Sequence, residues 1–364
     1  MESEGIAIRE TELFGRILGC LAGGAIGDAM GGATEMMHYE TIERIFGEIT
    51  GLTDYGATRE TARFTPGQKA GQYTDDTRLG HILVGAIADA GGRITPDDLA
   101  DAWKESMNGW FFIPVVNTYY KLHSGVRPRD AGRGNMGSNS TAMSIAPLGI
   151  VNACDPWQAA QDAYAIAGLV HEAHSRDAAA MIAAAVAASF IPGISAREVV
   201  DRALASVDRD TELVGLVGQA LALADSTGDY RSFRQQFYET MLLDWPQTDI
   251  VDGTTAPPGF YDTAEPRETI PACLAMFVLA NGDPQRAILH AANFGRDCDT
   301  IGSIVGGLAG AYGGIDSIPA DWMATANEVN SIDLESMAER MLGAVIASSD
   351  AKSRIADEVR SLLA

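Results

Sequence analysis

Two runs of glycine at helical spacing constrain this chain more than any other feature. Gly19, Gly23, Gly27 and Gly31 recur every four residues, and so do Gly302, Gly306, Gly310 and Gly314. Residues i and i+4 share one face of an α-helix, so each ladder is a groove without side chains into which another backbone can come close. A glycine inside a helix costs roughly 0.8–1 kcal/mol relative to alanine, so four in register need a reason. One reading is tight helix packing and nothing more. The sharper one sets both helices at the centre of the fold, where the acids that flank them meet.

The rest of the chain also reads at a helical period. Residues 178–190 are nearly all Ala, Met, Ile and Val, which suits a buried helix. Residues 98–107 and 157–169 carry the i, i+3, i+4 apolar spacing of amphipathic helices. Leu334, Met337, Met341 and Val345 share one helical face, and Ile355, Val359 and Leu362 another. Thr95-Pro96 and Asp155-Pro156 have cap and proline in the order that starts a helix. With no alternating pattern over six residues, the expected class is all-α. A single domain is expected over residues 12–350, with 351–364 a C-terminal helix packed on it. Breaks fall at 50–72, 124–140 and 244–271, and the last, rich in Pro, Gly, Asp and Thr, reads as a functional loop.

Charge excludes some partners. The 364 residues carry 26 Lys and Arg against 49 Asp and Glu, a net charge of −23. No basic excess exists to release counterions from a phosphate backbone, so nucleic acid is not an expected partner. An anionic membrane surface is disfavoured for the same reason. The apolar runs at 17–27 and 301–315 fall short of the roughly 20 residues that span a bilayer, and residues 1–10 lack the apolar core of a secretory signal. Cys20, Cys154, Cys273 and Cys298 form no Cys-x-x-Cys pair and are expected as free thiols. A soluble, cytoplasmic protein is expected.

Chemistry concentrates in three clusters that set acids beside small residues. They are Gly27-Asp28-Ala29-Met30-Gly31 with Glu35 downstream, Tyr73-Thr74-Asp75-Asp76-Thr77, and Gly295-Arg296-Asp297-Cys298-Asp299-Thr300 just before the second ladder. Adjacent acids repel and are costly to desolvate unless a cation joins them. Asp and Thr offer hard oxygen ligands without the Cys/His set that suits zinc, which points to Mg²⁺ or Mn²⁺ ahead of Ca²⁺. Taken singly, Asp75-Asp76 and Asp297-x-Asp299 also read as helix caps; Asp28, inside an apolar run, does not.

Together, and in this order, the clusters resemble the ADP-ribosylglycohydrolases, including the dinitrogenase-reductase-activating glycohydrolases. The resemblance runs from about Phe14 to Gly314. It implies a single all-α, orthogonal multi-helix domain with a dinuclear centre of two Mg²⁺ or Mn²⁺, held by Thr74, Asp75 and Asp76 on one side and Asp297, Asp299 and Thr300 on the other. Asp299 would bridge the metals, Glu35 would act as general acid/base or gate, and Asp28 would support the site. The implied reaction hydrolyses the glycosidic bond at ribose C1″ of an ADP-ribosylated protein side chain or small ADP-ribose conjugate. Asn139-Ser140-Thr141-Ala142-Met143-Ser144 matches a further family segment, a polar loop leading into a helix and so a ready anion site. The family usually has glycine after this Asn and often arginine after the Met. Ser140 and Ser144 stand there, which opens the alternative of a nucleoside or ribosyl-metabolite hydrolase. Asn139, Ser140, Thr141 and His171 are the expected substrate contacts, with His174 a competitor for the histidine role and Asp177 a candidate to orient it. The aromatics Trp110, Phe111, Phe112, Trp245, Phe260 and Tyr261 read as packing or as base-stacking surface. A non-catalytic, crystallin-like relative would be expected to have eroded the acids, all of which are present.

Overall fold

The computed structural model of the protein describes residues 8–54, 68–109, 111–242 and 264–363. Trp110, Trp245, Phe260 and Tyr261 lie outside the described residues, as does most of the loop expected at 244–271. The helices α1 (Glu12–Gly31) and α2 (Tyr39–Phe46) are followed by α3 (Asp75–Ala90), α4 (Pro96–Ser106), α5 (Ile113–His123) and the single turn α6 (Pro128–Ala131). A 3₁₀ turn (Ala142–Ser144) leads into α7 (Ala146–Val151), α8 (Pro156–Ala167), α9 (His174–Ser189), α10 (Ala196–Ala205), α11 (Glu212–Thr227) and α12 (Tyr230–Thr240). The chain closes with α13 (Pro266–Leu279), α14 (Pro284–Ala292), α15 (Cys298–Gly313), α16 (Ala320–Asn330) and α17 (Leu334–Ser361). No strand occurs among the described residues, so the fold is all-α, as the periodicity predicts.

The two ladders face each other. Helices α1 and α15 make the largest helix–helix contact among the described residues, and they run antiparallel. Gly19 meets Gly310, Gly23 meets Gly306, Gly27 meets Gly302, and Gly31 meets Cys298. A Cβ on any of these glycines would overlap a carbonyl oxygen of the facing helix. The seam is therefore backbone on backbone, and α14, α17, α13 and α9 pack around it. Both readings of the ladders hold at once, because antiparallel packing carries the C-terminal end of α1 to the N-terminal end of α15. Asp28 and Glu35 arrive there from one side, and Asp297 and Asp299 from the other.

Several boundaries differ from the sequence expectation, each for a physical reason. The break at 244–271 ends early: α13 begins at Pro266 and holds Pro271 inside it, where the missing N–H costs one rung of the ladder without ending the helix. Residues 351–361 are no separate helix but the distal turns of α17, and Ile355, Val359 and Leu362 are exposed rather than packed. Helix α1 is 20 residues long, enough by length and composition to cross a membrane; counting only the apolar run missed its flanking turns. Its length is spent on the seam, where most of its residues are buried. His171 sits in the turn before α9 rather than on the alanine-rich helix itself. The four cysteines are all free thiols.

Candidate metal centre

Two helix N-termini and one loop converge on the acids. Thr74 is the N-cap of α3, with Asp75 and Asp76 in its first turn; Asp297 is the N-cap of α15, with Asp299 and Thr300 in its first turn. The positive ends of both helix dipoles thus face the carboxylates and lower the cost of gathering them. Glu35 follows α1 and is drawn in by a backbone pairing: Met36 N–H donates to the Arg296 carbonyl at 2.6 Å, and Arg296 N–H to the Met37 carbonyl at 2.7 Å. Met36 and Arg296 both adopt left-handed backbone, φ 64° and 66°, a strain of the kind that clusters at functional sites. The Arg296 guanidinium is buried and doubly bonded to Glu268 of α13, at 2.8 and 2.9 Å. One carboxylate oxygen from each of Glu35, Asp297 and Asp299 comes within 4.8 Å of the others.

Asp28 has a different task. Its carboxylate accepts the N–H of Thr74 at 2.9 Å and, on the other oxygen, the N–H and hydroxyl of Thr77 at 3.0 and 2.6 Å. Helix α3 is capped in trans by α1, because the Thr74 hydroxyl, which would ordinarily cap it, donates instead to Asp76 at 3.0 Å. Burial and the nearby Asp299 push the Asp28 carboxyl up to about 7, against the pull of its three donors.

The other acids lack such company. Burial raises Asp75 to about 6 although Phe112 N–H donates to it at 2.8 Å. Glu35, Asp76 and Asp297 lie well above the ordinary carboxylate range, from burial first and then from the Asp299 charge. Asp299 is raised by burial too. Asp76 Oδ1 and Asp299 Oδ1 are sealed from solvent with no hydrogen-bond partner. Orphaned, mutually repelling oxygens are what hard divalent cations neutralise, and the donor set (carboxylates and threonine hydroxyls) fits Mg²⁺ or Mn²⁺. Thr300 is buried beside them, its hydroxyl 3.9 Å from the Met143 sulfur.

Of the expected substrate contacts, Asn139 reaches the acids directly. Its Nδ2 donates to Asp297 at 2.6 Å and to Thr269 at 2.9 Å. Ser140 instead pairs with His171 Nε2 at 2.8 Å inside a buried network with Ser138, and burial drives the His171 imidazole down to about 4. The N–H groups of residues 138–140 go to the Ser175 hydroxyl, the Ala264 carbonyl and the Ser138 hydroxyl, so the expected anion cradle is already filled at those positions. Thr141 is buried with its hydroxyl unpartnered. His174 faces Glu265 at 3.3 Å, and Asp177 accepts from Thr211 rather than orienting a histidine. The Glu268–Arg296 pair and the Asn139–Asp297 bond escape sequence reading because each joins residues far apart in the chain.

The sequence model of the ADP-ribosylglycohydrolase family matches residues 9–351. The chain belongs to the ADP-ribosylglycohydrolase family. Within it, similarity spreads over several branches. The chain is 26% identical to the uncharacterized protein YegU of Escherichia coli, over 87% of this chain and 93% of that protein. It is 27% identical to the ADP-ribosyl-[dinitrogen reductase] glycohydrolase of Rhodospirillum rubrum, over 85% and 89%, and 25% identical to human ADP-ribosylhydrolase ARH3, over 88% and 91%. Identities this close to one another single out no branch, so the dinitrogenase-reductase-activating branch is not distinguished from the rest. A solved structure described as an ADP-ribosylglycohydrolase-related protein complex superposes with a TM-score of 0.61 over 93% of this chain and 99% of that one, at 20% identity. That likeness speaks to the ADP-ribosylglycohydrolase fold alone.

Proposed function

We propose that the protein is a metal-dependent hydrolase of the glycosidic bond at ribose C1″ of an ADP-ribosyl conjugate. The observation that carries this reading is the pair of buried, partnerless oxygens, Asp76 Oδ1 and Asp299 Oδ1, inside a ring of carboxylates. Thr74, Asp75 and Asp76 would hold two Mg²⁺ or Mn²⁺ from one side, and Asp297, Asp299 and Thr300 from the other, with Asp299 between them. Bound there, divalent cations supply positive charge to substrate oxygens and Lewis acidity toward water.

This chain's own residues do the rest. Cleavage builds positive charge at the anomeric carbon, which the carboxylates stabilise. The bond from C1″ to the leaving nitrogen or oxygen breaks, a water oxygen bonds to C1″, and a proton ends on the leaving atom. Glu35, whose carboxyl burial and the nearby Asp299 hold well above the ordinary carboxylate range, is the group for that transfer. Asn139 holds Asp297 in place, and Asp28 holds the start of α3.

A nucleoside or simpler ribosyl compound is the second reading, favoured by the filled N–H groups at residues 138–140. A mass-spectrometric panel separates the two: ADP-ribosyl-arginine, ADP-ribosyl-serine, O-acetyl-ADP-ribose and nucleosides, each with Mg²⁺ or Mn²⁺ and with Asp299→Ala as control. Release of ADP-ribose that vanishes in the variant is the expected result. Turnover of nucleosides alone would transfer the proposal to the second reading, and no turnover with no metal bound would defeat both.

A further inference from the structure

Behind the carboxylates lies a partly open cavity of about 40 Å³, lined by α1, α3, the 3₁₀ turn at Ala142–Ser144, α7, α9 and α15. Three of its lining residues are helical glycines: Gly24 on α1, Gly80 on α3 and Gly307 on α15. They differ from the ladder glycines. A Cβ on Gly24 or Gly307 would come no closer than 3.5 Å to a neighbour, and on Gly80 no closer than 3.8 Å, to the Ser144 carbonyl. These are ordinary contact distances, so packing does not require glycine there. Each nonetheless carries the helix penalty of roughly 1 kcal/mol, and what all three share is the space that a methyl group would fill.

Two polar groups line the same space. They are Asp76, whose unpartnered Oδ1 is the oxygen left for the cation, and His81, whose Nε2 is sealed from solvent without a hydrogen-bond partner. His81 stands with its ring edge-on to Tyr73, 5.5 Å between centroids, and burial holds the imidazole neutral, down at about 4. A neutral imidazole nitrogen can give or take one hydrogen bond. A void this size admits about two or three waters at roughly 10–15 Å³ of probe-occupied volume each, provided polar partners exist. An apolar void of similar size would stay dry.

We infer that this cavity is a built water site in which ordered water, anchored by His81, hydrogen-bonds Asp76 from behind and fixes that carboxylate for the metal. The glycines at 24, 80 and 307 keep the space open, and His81 is a positioning residue acting through the water. The inference rests on the metal-site reading above. Outer-shell partners of this kind are worth about 10–100-fold in metal affinity.

The test is a Mn²⁺ titration of Gly80→Ala, His81→Leu and His81→Gln, with Gly85→Ala as control, since nothing lies within 4 Å of a Cβ there. Thermal melts in EDTA accompany it. Expected results are about tenfold weaker Mn²⁺ binding for Gly80→Ala and His81→Leu, with Gly85→Ala unchanged and His81→Gln closer to wild type. In EDTA, Gly85→Ala raises the melting temperature through helix propensity, whereas Gly80→Ala does not, because it displaces water that two buried groups use. The inference is overturned if Gly80→Ala binds Mn²⁺ like wild type and melts higher, or if xenon under pressure occupies the cavity, the mark of a dry void. Failure of wild type to bind Mn²⁺ at all would instead strike the metal-site reading, so the two failures are distinguishable.

Discussion

Asp28 and Asp299 stand close together on the two helices of the glycine seam, both buried, both repelled by the same neighbours. Asp28 receives three donors from the start of α3; Asp299 keeps an oxygen with none. The contrast teaches how to sort buried acids. One whose oxygens are both filled by donors of the chain serves the fold, whereas one with an unpartnered oxygen is the kind that the proposed cation site calls for. Sequence position alone does not make that distinction, since each acid sits beside a ladder glycine or a small residue.

The comparison depends first on the seam that brings both acids to one place. Gly27→Ala drives a methyl group into the Gly302 carbonyl and should cost about 4 kcal/mol or more, at the severe end of overpacking. Urea denaturation measures it, and a loss under about 1 kcal/mol would mean that the helices slide apart freely. Next, Asp28→Ala strips three donors and should cost about 3 kcal/mol, equally with and without Mn²⁺. A loss that appears only with Mn²⁺ would move Asp28 from scaffold to ligand.

Asp299→Asn should do the opposite in EDTA. Removing a buried charge with one unpartnered oxygen should stabilise the metal-free protein by about 1–2 kcal/mol, while the upward shift in melting temperature on adding Mn²⁺ disappears. A destabilised, still metal-responsive variant would erase the contrast with Asp28.

A more gradual effect concerns pH. The His171 pKa is depressed in the fold to about 4, so the unfolded chain takes up a proton first as pH falls through about 6.5. Stability from this group is therefore whole above that pH and is lost progressively toward pH 4, by about 1 kcal/mol per unit. The gap between wild type and His171→Asn should narrow over that window in chemical-denaturation curves, and a constant gap would show that the ring titrates normally.

Much of this was legible in the residues. The ladders announced close backbone approach, and the three acid clusters announced a gathering of buried carboxylates. What the ladders could not announce was that they face each other in antiparallel register, because periodicity fixes a face and not its partner. Asn139, read as a substrate contact, also donates to Asp297, and the loop around it spends its N–H groups internally. Those bonds span from two to over a hundred and fifty residues, and local pattern carries no signal for pairing at such separation. The buried Glu268–Arg296 pair went unseen for the same reason. The distal apolar positions of α17 misled in the other direction: Ile355, Val359 and Leu362 share a face as a packed helix would, yet that face is exposed.

Calorimetric titration of the metal-stripped, full-length protein with Mn²⁺ probes the proposed metal centre itself. Two ions are expected to bind per chain, with saturation lost in Asp299→Asn and retained in a wild-type-like pattern by Gly85→Ala. A wild-type protein that takes up no Mn²⁺ or Mg²⁺, and melts at the same temperature with and without them, would contradict it.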